Sequence, residues 1–480
     1  VPVISGTSLE FSSSDPVLTV HAGLAATGLV ISAPILQSAG MLTLTKQGTG
    51  VLALSGASTF NSPFNLNAGA VMFSNNTVLL LGAITSGPVG RGDLLVGAGT
   101  SLLSDGTVRT IANPVTVNGD FAFGGSGAGA GVILAGKVSL GAAMRTIGVT
   151  NYGVTATLNG GLLTDLIDRS TALTKTGNGV LLLGVPSTQA DLKGAGVTVS
   201  GGVVRWAGDN SLPPDTFLTA GVASGFDLAG FNQITHRILG TGFFTNSSTL
   251  TPSTLTVGGD NASFTFSGAL TDNYGGGGQV LNLTKTGSGV LAFGAVNNYA
   301  GLTDIQAGRL DITNIGSFGL GPVNIETGAE LRMDRTGTLN FPNELSGAGF
   351  VRSVGSGTTI DHIQVYNSSD DGIEIFGGNV NLRRIVITGA DDDGLDTDTG
   401  WRGGAQFGIV TQRDVPGSTS RSAGFEFSSA PAATTMIKPT KYRLWKATVG
   451  RCTRSRSYCV VPVHSTRARS STAPAAVRPA

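Results

Sequence analysis

Apolar and polar residues alternate in short bursts along most of this chain, and the bursts repeat. Residues 44–52 (LTKQGTGVL), 173–181 (LTKTGNGVL) and 283–291 (LTKTGSGVL) are near copies. Each runs on with apolar residues two apart, Leu52 and Leu54, Leu181 and Leu183, Leu291 and Phe293, the period of a half-buried strand. Downstream, a glycine opens a second alternating stretch: Gly69 before Val71 and Phe73, Gly202 before Val204 and Trp206, Gly308 before Leu310 and Ile312. Gly328, Leu331 and Met333 repeat the pattern once more. Gly48 to Gly69 and Gly287 to Gly308 both span 21 residues, one coil of a parallel β-helix.

A coil of this kind turns one alternating face inward and offers its backbone edges to the coils on either side. Glycine and Asn-rich corners then supply the tight turns. Composition agrees: 73 of 480 residues are glycine, only 12% are charged and 40% are hydrophobic, which disfavours both a mostly helical protein and wholesale disorder. The expected fold class is all-β, a right-handed parallel β-helix (β-solenoid) with rungs of about 20–23 residues and a poorly ordered C-terminal tail.

At these residues the chain resembles the autotransporter-associated β-strand repeat, whose pattern is approximately LTKxGxGxLxLxGxNxYxGxTxVxxGxL. The copy from Leu283 follows it through Asn298, Tyr299, Gly301, Thr303, Ile305 and Gly308. The first copy has Phe60 in the tyrosine position, and the second loses the Asn-x-Tyr middle, so an irregular corner is expected there. The resemblance covers much of residues 1–350. It implies a rod-like passenger region of a secreted surface protein, without catalytic residues of its own; the translocator barrel that normally follows such repeats is not in this sequence. The recurring Lys46, Lys175 and Lys285 are expected at outward corners.

A second repeat begins near Thr359. IDHIQVYN (360–367) aligns with LRRIVITG (382–389) at an offset of 22, and a third rung is read at 404–411. On that offset Ile363, Ile385 and Phe407 stack inside, as do Val365, Ile387 and Ile409, while His362, Arg384 and Gln406 line up outside. This part resembles a β-helix of the pectate-lyase type. The expected organisation is a solenoid of autotransporter-type repeats over 1–350, acidic rungs over 351–417, and a basic Arg/Ser/Ala/Pro-rich tail over 418–480.

The formal net charge is zero, but residues 436–480 hold three Lys, seven Arg and no acid, leaving the rest with a net charge of −10. Both cysteines, Cys452 and Cys459, lie in that tail, and a cysteine-free body suits a chain exported unfolded. No apolar run is long enough for a transmembrane segment, and no signal-type segment opens the sequence, so any export signal is expected to have been removed or never included.

The densest chemistry is acidic. At an offset of 22, Asp370, Asp392 and Asp414 stack, Asp371 lies beside Asp393, and Glu374 lies beside Asp396. Like charges one strand spacing apart repel. They splay into water as a solvated acidic turn, or some are protonated, or a cation sits between them. Calcium takes six to eight oxygen ligands, and the candidate metal ligands are Asp371, Glu374, Asp393, Asp396 and Asp398. Paired carboxylates also suit glycosidases, but the Gly-His-Gly and Arg-Ile-Lys motifs of polygalacturonases are missing. A lyase would use a basic residue beside a cation, and the outward ladder His362, Arg384 and Gln406 supplies the candidates; the alternative is that these are ordinary exposed strand residues. The main expectation is a secreted or surface-displayed structural β-solenoid at a bacterial cell surface, non-enzymatic, an adhesin or fibre component. Its partners would be surface polysaccharide, another cell surface or further copies of itself, with no specific nucleic acid. The alternative is a β-helix that binds or cleaves acidic polysaccharide at residues 370–398.

Overall fold

The computed structural model describes residues 1–427 apart from 38–39, 125–130, 165–170, 185–195, 273–277, 314–315, 335–342, 348, 354–358, 369–370, 377, 399 and 412–423. Residues 1–429 form one compact unit. The basic tail apart from residues 424–427 lies outside the described residues, with both cysteines, as does the irregular corner expected after Leu183.

Every regular element among the described residues is a strand. Pairing between these strands is parallel apart from one hairpin, Val78–Leu80 with Ala83–Ser86. Parallel neighbours cannot be joined by a tight turn, so the chain must travel a whole coil before it lies beside itself again. Leu94–Val96 joins a seven-stranded sheet, Thr100–Ser104 an eleven-stranded one and Arg109–Ile111 an eight-stranded one. The next pass, Val115–Val117, Phe121–Gly124 and Val132–Leu134, adds one strand to each of the same three sheets. A six-stranded sheet begins at Gln233 and a five-stranded one at Phe264, the eight-stranded sheet ending at Ala269–Thr271, and two three-stranded sheets close the series. The expected parallel β-solenoid is thus the observed architecture.

Alternation sets the inside. In Leu44–Gln47 and Val180–Leu183 buried and half-buried residues alternate, and Leu44, Leu52, Leu181, Leu183, Leu291 and Phe293 all lie in one continuous apolar core. Aromatic side chains stack along part of it. Trp206 meets Phe226 edge-on at 5.4 Å, Phe226 stacks on Phe244 at 4.9 Å, and Phe244 meets Phe266 at 5.5 Å. Tyr299, in the tyrosine position of the repeat, is fully buried, its hydroxyl 2.6 Å from the Thr303 hydroxyl, and burial pushes its pKa up to about 12. Phe60 fills the equivalent place in the first copy and is buried too.

Rung length varies more widely than the repeats alone predict. Gly225 pairs with Phe243, an offset of 18, whereas Ala70 pairs with Ser101, an offset of 31, with the hairpin emerging between them. Corners tolerate insertions because neither the ladder nor the interior passes through them. The repeat is also not tied to one sheet. Leu44–Gln47 belongs to the seven-stranded sheet, whereas its counterpart Thr171–Thr176 belongs to the eleven-stranded one.

Candidate functional site

The acidic rungs sit on two strand ladders. Thr359–Tyr366 pairs with Asn381–Thr388 and Ile373–Phe376 with Leu395–Asp398, both at the expected offset of 22. Ile363 therefore pairs with Ile385, Val365 with Ile387, and Glu374 with Asp396. The third rung departs from expectation. Ile385 pairs with Gly408 and Ile387 with Val410, an offset of 23, so Phe407 and Ile409 point outward, 63% and 57% exposed. Each long strand carries one left-handed residue. His362 (φ 58°), Arg384 (φ 49°) and Phe407 (φ 63°) are skipped by the pairing on all three rungs, and the third rung reaches its skip one residue later. The outward ladder is thus His362, Arg384 and Phe407, while Gln406 pairs with Arg383.

The carboxylates gather in two groups. Ligand oxygens of Asp371, Asp392 and Asp393 lie within 4.8 Å of one another, as do those of Asp371, Glu374 and Asp396. Asp371 is common to both and accepts a 2.8 Å hydrogen bond from the Asp393 amide, which ties one rung to the next. Of the expected ligands, Asp371, Glu374, Asp393 and Asp396 are brought together; Asp392 joins them, and Asp398 stands outside both groups. Asp370 and Asp414 fall outside the described residues. Asp396 is the most constrained member: its Oδ1 is buried without a hydrogen-bond partner, and burial, then the nearby Asp398, raise its pKa.

A further acid joins the cluster that a constant offset does not predict. Phe425–Phe427 adds a strand beyond residue 417 and pairs Glu426 with Asp396, an offset of 30. Asp393, through a hydrogen bond to the Glu426 side chain and its own charge, raises the Glu426 pKa. The two basic candidates, His362 and Arg384, both engage Asp361 instead. Arg384 places Nη1 at 3.0 and 2.7 Å from the two Asp361 oxygens, and His362 Nδ1 lies 3.2 Å from the same carboxylate.

The three repeat lysines contradict the expectation of outward corners. Lys46, Lys175 and Lys285 are fully buried. Lys46 Nζ donates to the carbonyls of Gly48 (2.5 Å), Gly50 (2.7 Å) and Ala68 (2.8 Å). Lys175 Nζ reaches Gly177 and Gly179 at 2.6 Å and Gly201 at 2.8 Å, and Lys285 reaches Thr286, Gly287 and Ala307 at 2.7, 2.8 and 3.1 Å. Three N–H donors meet three acceptors, two from the lysine's own corner and one from the next coil. Burial pushes each amine down to about 8, with Asp260 opposing the shift at Lys285. Against the ammonium of Lys46 and of Lys175 sits a left-handed glycine. A Cβ on Gly202 would lie 2.5 Å from Lys175 Nζ and 2.3 Å from the Gly179 oxygen, and one on Gly69 would lie 2.6 Å from Lys46 Nζ. Elsewhere an amide does the same work: Asn113 Nδ2 donates to Gly90 and Gly92, and Asn343 Nδ2 to Gly319 and Gly321. These are structural corners. The signal was in the sequence, because in Leu-Thr-Lys the alternation that buries Leu44 also turns Lys46 inward.

Residues 44–71 and 283–312 match the model of the passenger-associated-transport-repeat, and residues 327–450 match that of the pectate-lyase like beta helix domain. The resemblance to both repeat types thus holds. A relative, the adhesin BmaC autotransporter of Brucella suis biovar 1 (strain 1330), is 26% identical over 83% of this chain, which spans 12% of that relative's length. No solved structure matches.

Proposed function

We propose that this chain is a stretch of a secreted or surface-displayed β-solenoid passenger of the adhesin type, whose role is to hold contact surfaces away from a cell rather than to turn over a substrate. The observation that carries this reading is the coincidence of passenger repeats at 44–71 and 283–312 with coils locked by buried lysine corners, in a chain similar to an autotransporter adhesin. The contacted material is another cell surface or its polysaccharide, or further copies of the solenoid assembled into fibres. Beads coated with the chain should be retained on cultured cells above beads coated with an unrelated solenoid, and pectate and alginate should remain uncut. Polymer cleavage that disappears in Asp393→Ala would replace this reading with the polysaccharide-acting one.

Calcium at the acidic rungs belongs to the same proposal. An all-oxygen donor set with one buried, unpartnered carboxylate oxygen on Asp396 suits a hard cation, and Asp371, shared by both groups, would be central. A cation held only by the folded register stabilises it by mass action, about 2.7 kcal/mol at a hundredfold excess over the dissociation constant. Melting of the C-terminal rungs should fall on chelation in the parent and become insensitive to chelation in the Glu374→Gln/Asp396→Asn double variant. A parent indifferent to chelator, with a more stable neutralised variant, would mean a tolerated charge cluster instead.

A further inference from the structure

One element breaks the solenoid's rules. In the long rung between Ala70 and Ser101, the chain leaves the coil as an antiparallel ribbon, Val78–Leu80 with Ala83–Ser86. Leu80 pairs with Ala83, so Leu81 and Gly82 form a two-residue turn, both left-handed at φ 52° and 82°. Such turns normally take Asn-Gly or Gly-Gly, and a bulky residue there is strained. Leu81 is nevertheless fully exposed at the tip, and Val78, Leu79 and Leu80 before it are 48%, 50% and 65% exposed. Successive strand residues point to opposite faces, so this ribbon is apolar on both. A two-stranded hairpin in water is marginal by itself and gains nothing from apolar side chains left uncovered.

Its base, by contrast, is firmly tied. Thr77 donates its amide to the Thr110 carbonyl and accepts from the Ala112 amide at its hydroxyl, Asn76 Oδ1 accepts from the Thr110 amide, and Ser58 and Gly87 exchange backbone bonds. The charge pattern points the same way: no Asp, Glu, Lys or Arg occurs from Gln47 to Gly90.

We infer that this ribbon is a lipid-contacting tip, in which Leu79, Leu80 and Leu81 enter the interfacial region of a bilayer. Being apolar on both faces favours immersion over lying flat on a partner, where one face would stay wet. A second copy is a poor occupant, since a ribbon spanning only residues 78–86 supplies far fewer than the roughly 20–30 residues a side of a stable interface. The outer edges of the ribbon keep unpaired backbone groups, which limits entry to the tip. Insertion would not depend on whether the solenoid mediates adhesion, and it is read on lipid alone.

The test uses the full chain and zwitterionic phosphatidylcholine vesicles, so that the basic C-terminal segment finds no anionic lipid. The parent should co-sediment with vesicles at low and at high salt alike. Leu80→Ser with Leu81→Gly should weaken that partition about tenfold or more, while the melting temperature holds or rises, because glycine relieves the left-handed strain at 81. In a Leu80→Trp variant, tryptophan emission should shift to the blue when vesicles are added. A parent that stays in the supernatant, binding that high salt abolishes, or a double variant that binds like the parent would each overturn the inference. So would concentration-dependent self-association that the double variant loses while vesicles are ignored, since the ribbon would then be a contact between copies.

Discussion

Replacing Lys46 by methionine removes an ammonium but keeps a straight side chain of similar reach in the core. Three carbonyls lose their donor: Gly50 at a buried position, Gly48 and Ala68 at partly buried ones. A buried acceptor left unpaired costs about 1–3 kcal/mol, and the two partly buried ones recover much of their loss from water. Methionine also escapes the desolvation that pushes the amine down to about 8, which offsets part of the loss. The balance is a destabilisation of about 2 kcal/mol. Because solenoid coils interact mainly with their neighbours, the loss should stay local. Hydrogen exchange should quicken roughly 30-fold, the equivalent of that energy, in peptides covering 44–73, and hardly change in 281–313, where Lys285 is intact. Unchanged or slower exchange at 44–73 would refute the reasoning, because burying the ammonium would then cost as much as its three bonds return.

The same corners give a pH signature. Folded amines near 8 against an ordinary value near 10.5 mean that the unfolded chain holds more protons between those limits; stability should therefore rise as pH climbs from 8 to 10.5, and a variant with all three lysines changed to methionine should lose that rise in thermal melts. The acidic rungs should run the other way. With the Asp396 and Glu426 pKa values raised on folding, their contribution is greatest in acid and falls as pH rises through those values, so in chelator the protection factors of residues 395–398, exchange rates divided into the intrinsic rate at each pH, should be larger at pH 4 than at pH 7. Gly202→Ala, placing a methyl 2.3 Å from the Gly179 oxygen at φ +62°, should cost about 3 kcal/mol in melting experiments, whereas the same change at Gly99, also left-handed but with open space, should cost about 1–2 kcal/mol.

The coils were legible because their signals are local and repeat. Period-two alternation in 181–183 and 291–293 marks strands that are indeed half inside, that in 52–54 one that is buried on both faces, and an offset of 22 gives the register of Ile363 on Ile385 and Glu374 beside Asp396. What fails is whatever depends on the backbone path at a corner. The premise that charges face water puts the lysines outside, although alternation turns them inward; only the corner's geometry reveals three carbonyls converging on one amine. A constant offset puts Phe407 inside, because it does not see that the third rung holds one residue more. Glu426 escapes for the same reason, its partner Asp396 lying at an offset of 30. Nothing in the repeat pattern marks the apolar run 78–81, which the structure leaves exposed in a ribbon outside the coil.

Inside and outside of this molecule therefore answer to different constraints. Interior positions are set by stacking: a lysine, its glycine and the leucines between recur because each coil must fit the next, and one methyl at Gly202 has no room. Corner length is almost free, since closing a longer loop costs only about 0.6 kcal/mol for each doubling. Pairing offsets here accordingly range from 18, for Gly225 on Phe243, to 31, for Ala70 on Ser101. Two features that break the repeat, the ribbon at 78–86 and the pairing of Glu426 with Asp396, occur where the pairing steps are among the longest. In a solenoid the departures from the repeat are where recognition chemistry can change without disturbing the core.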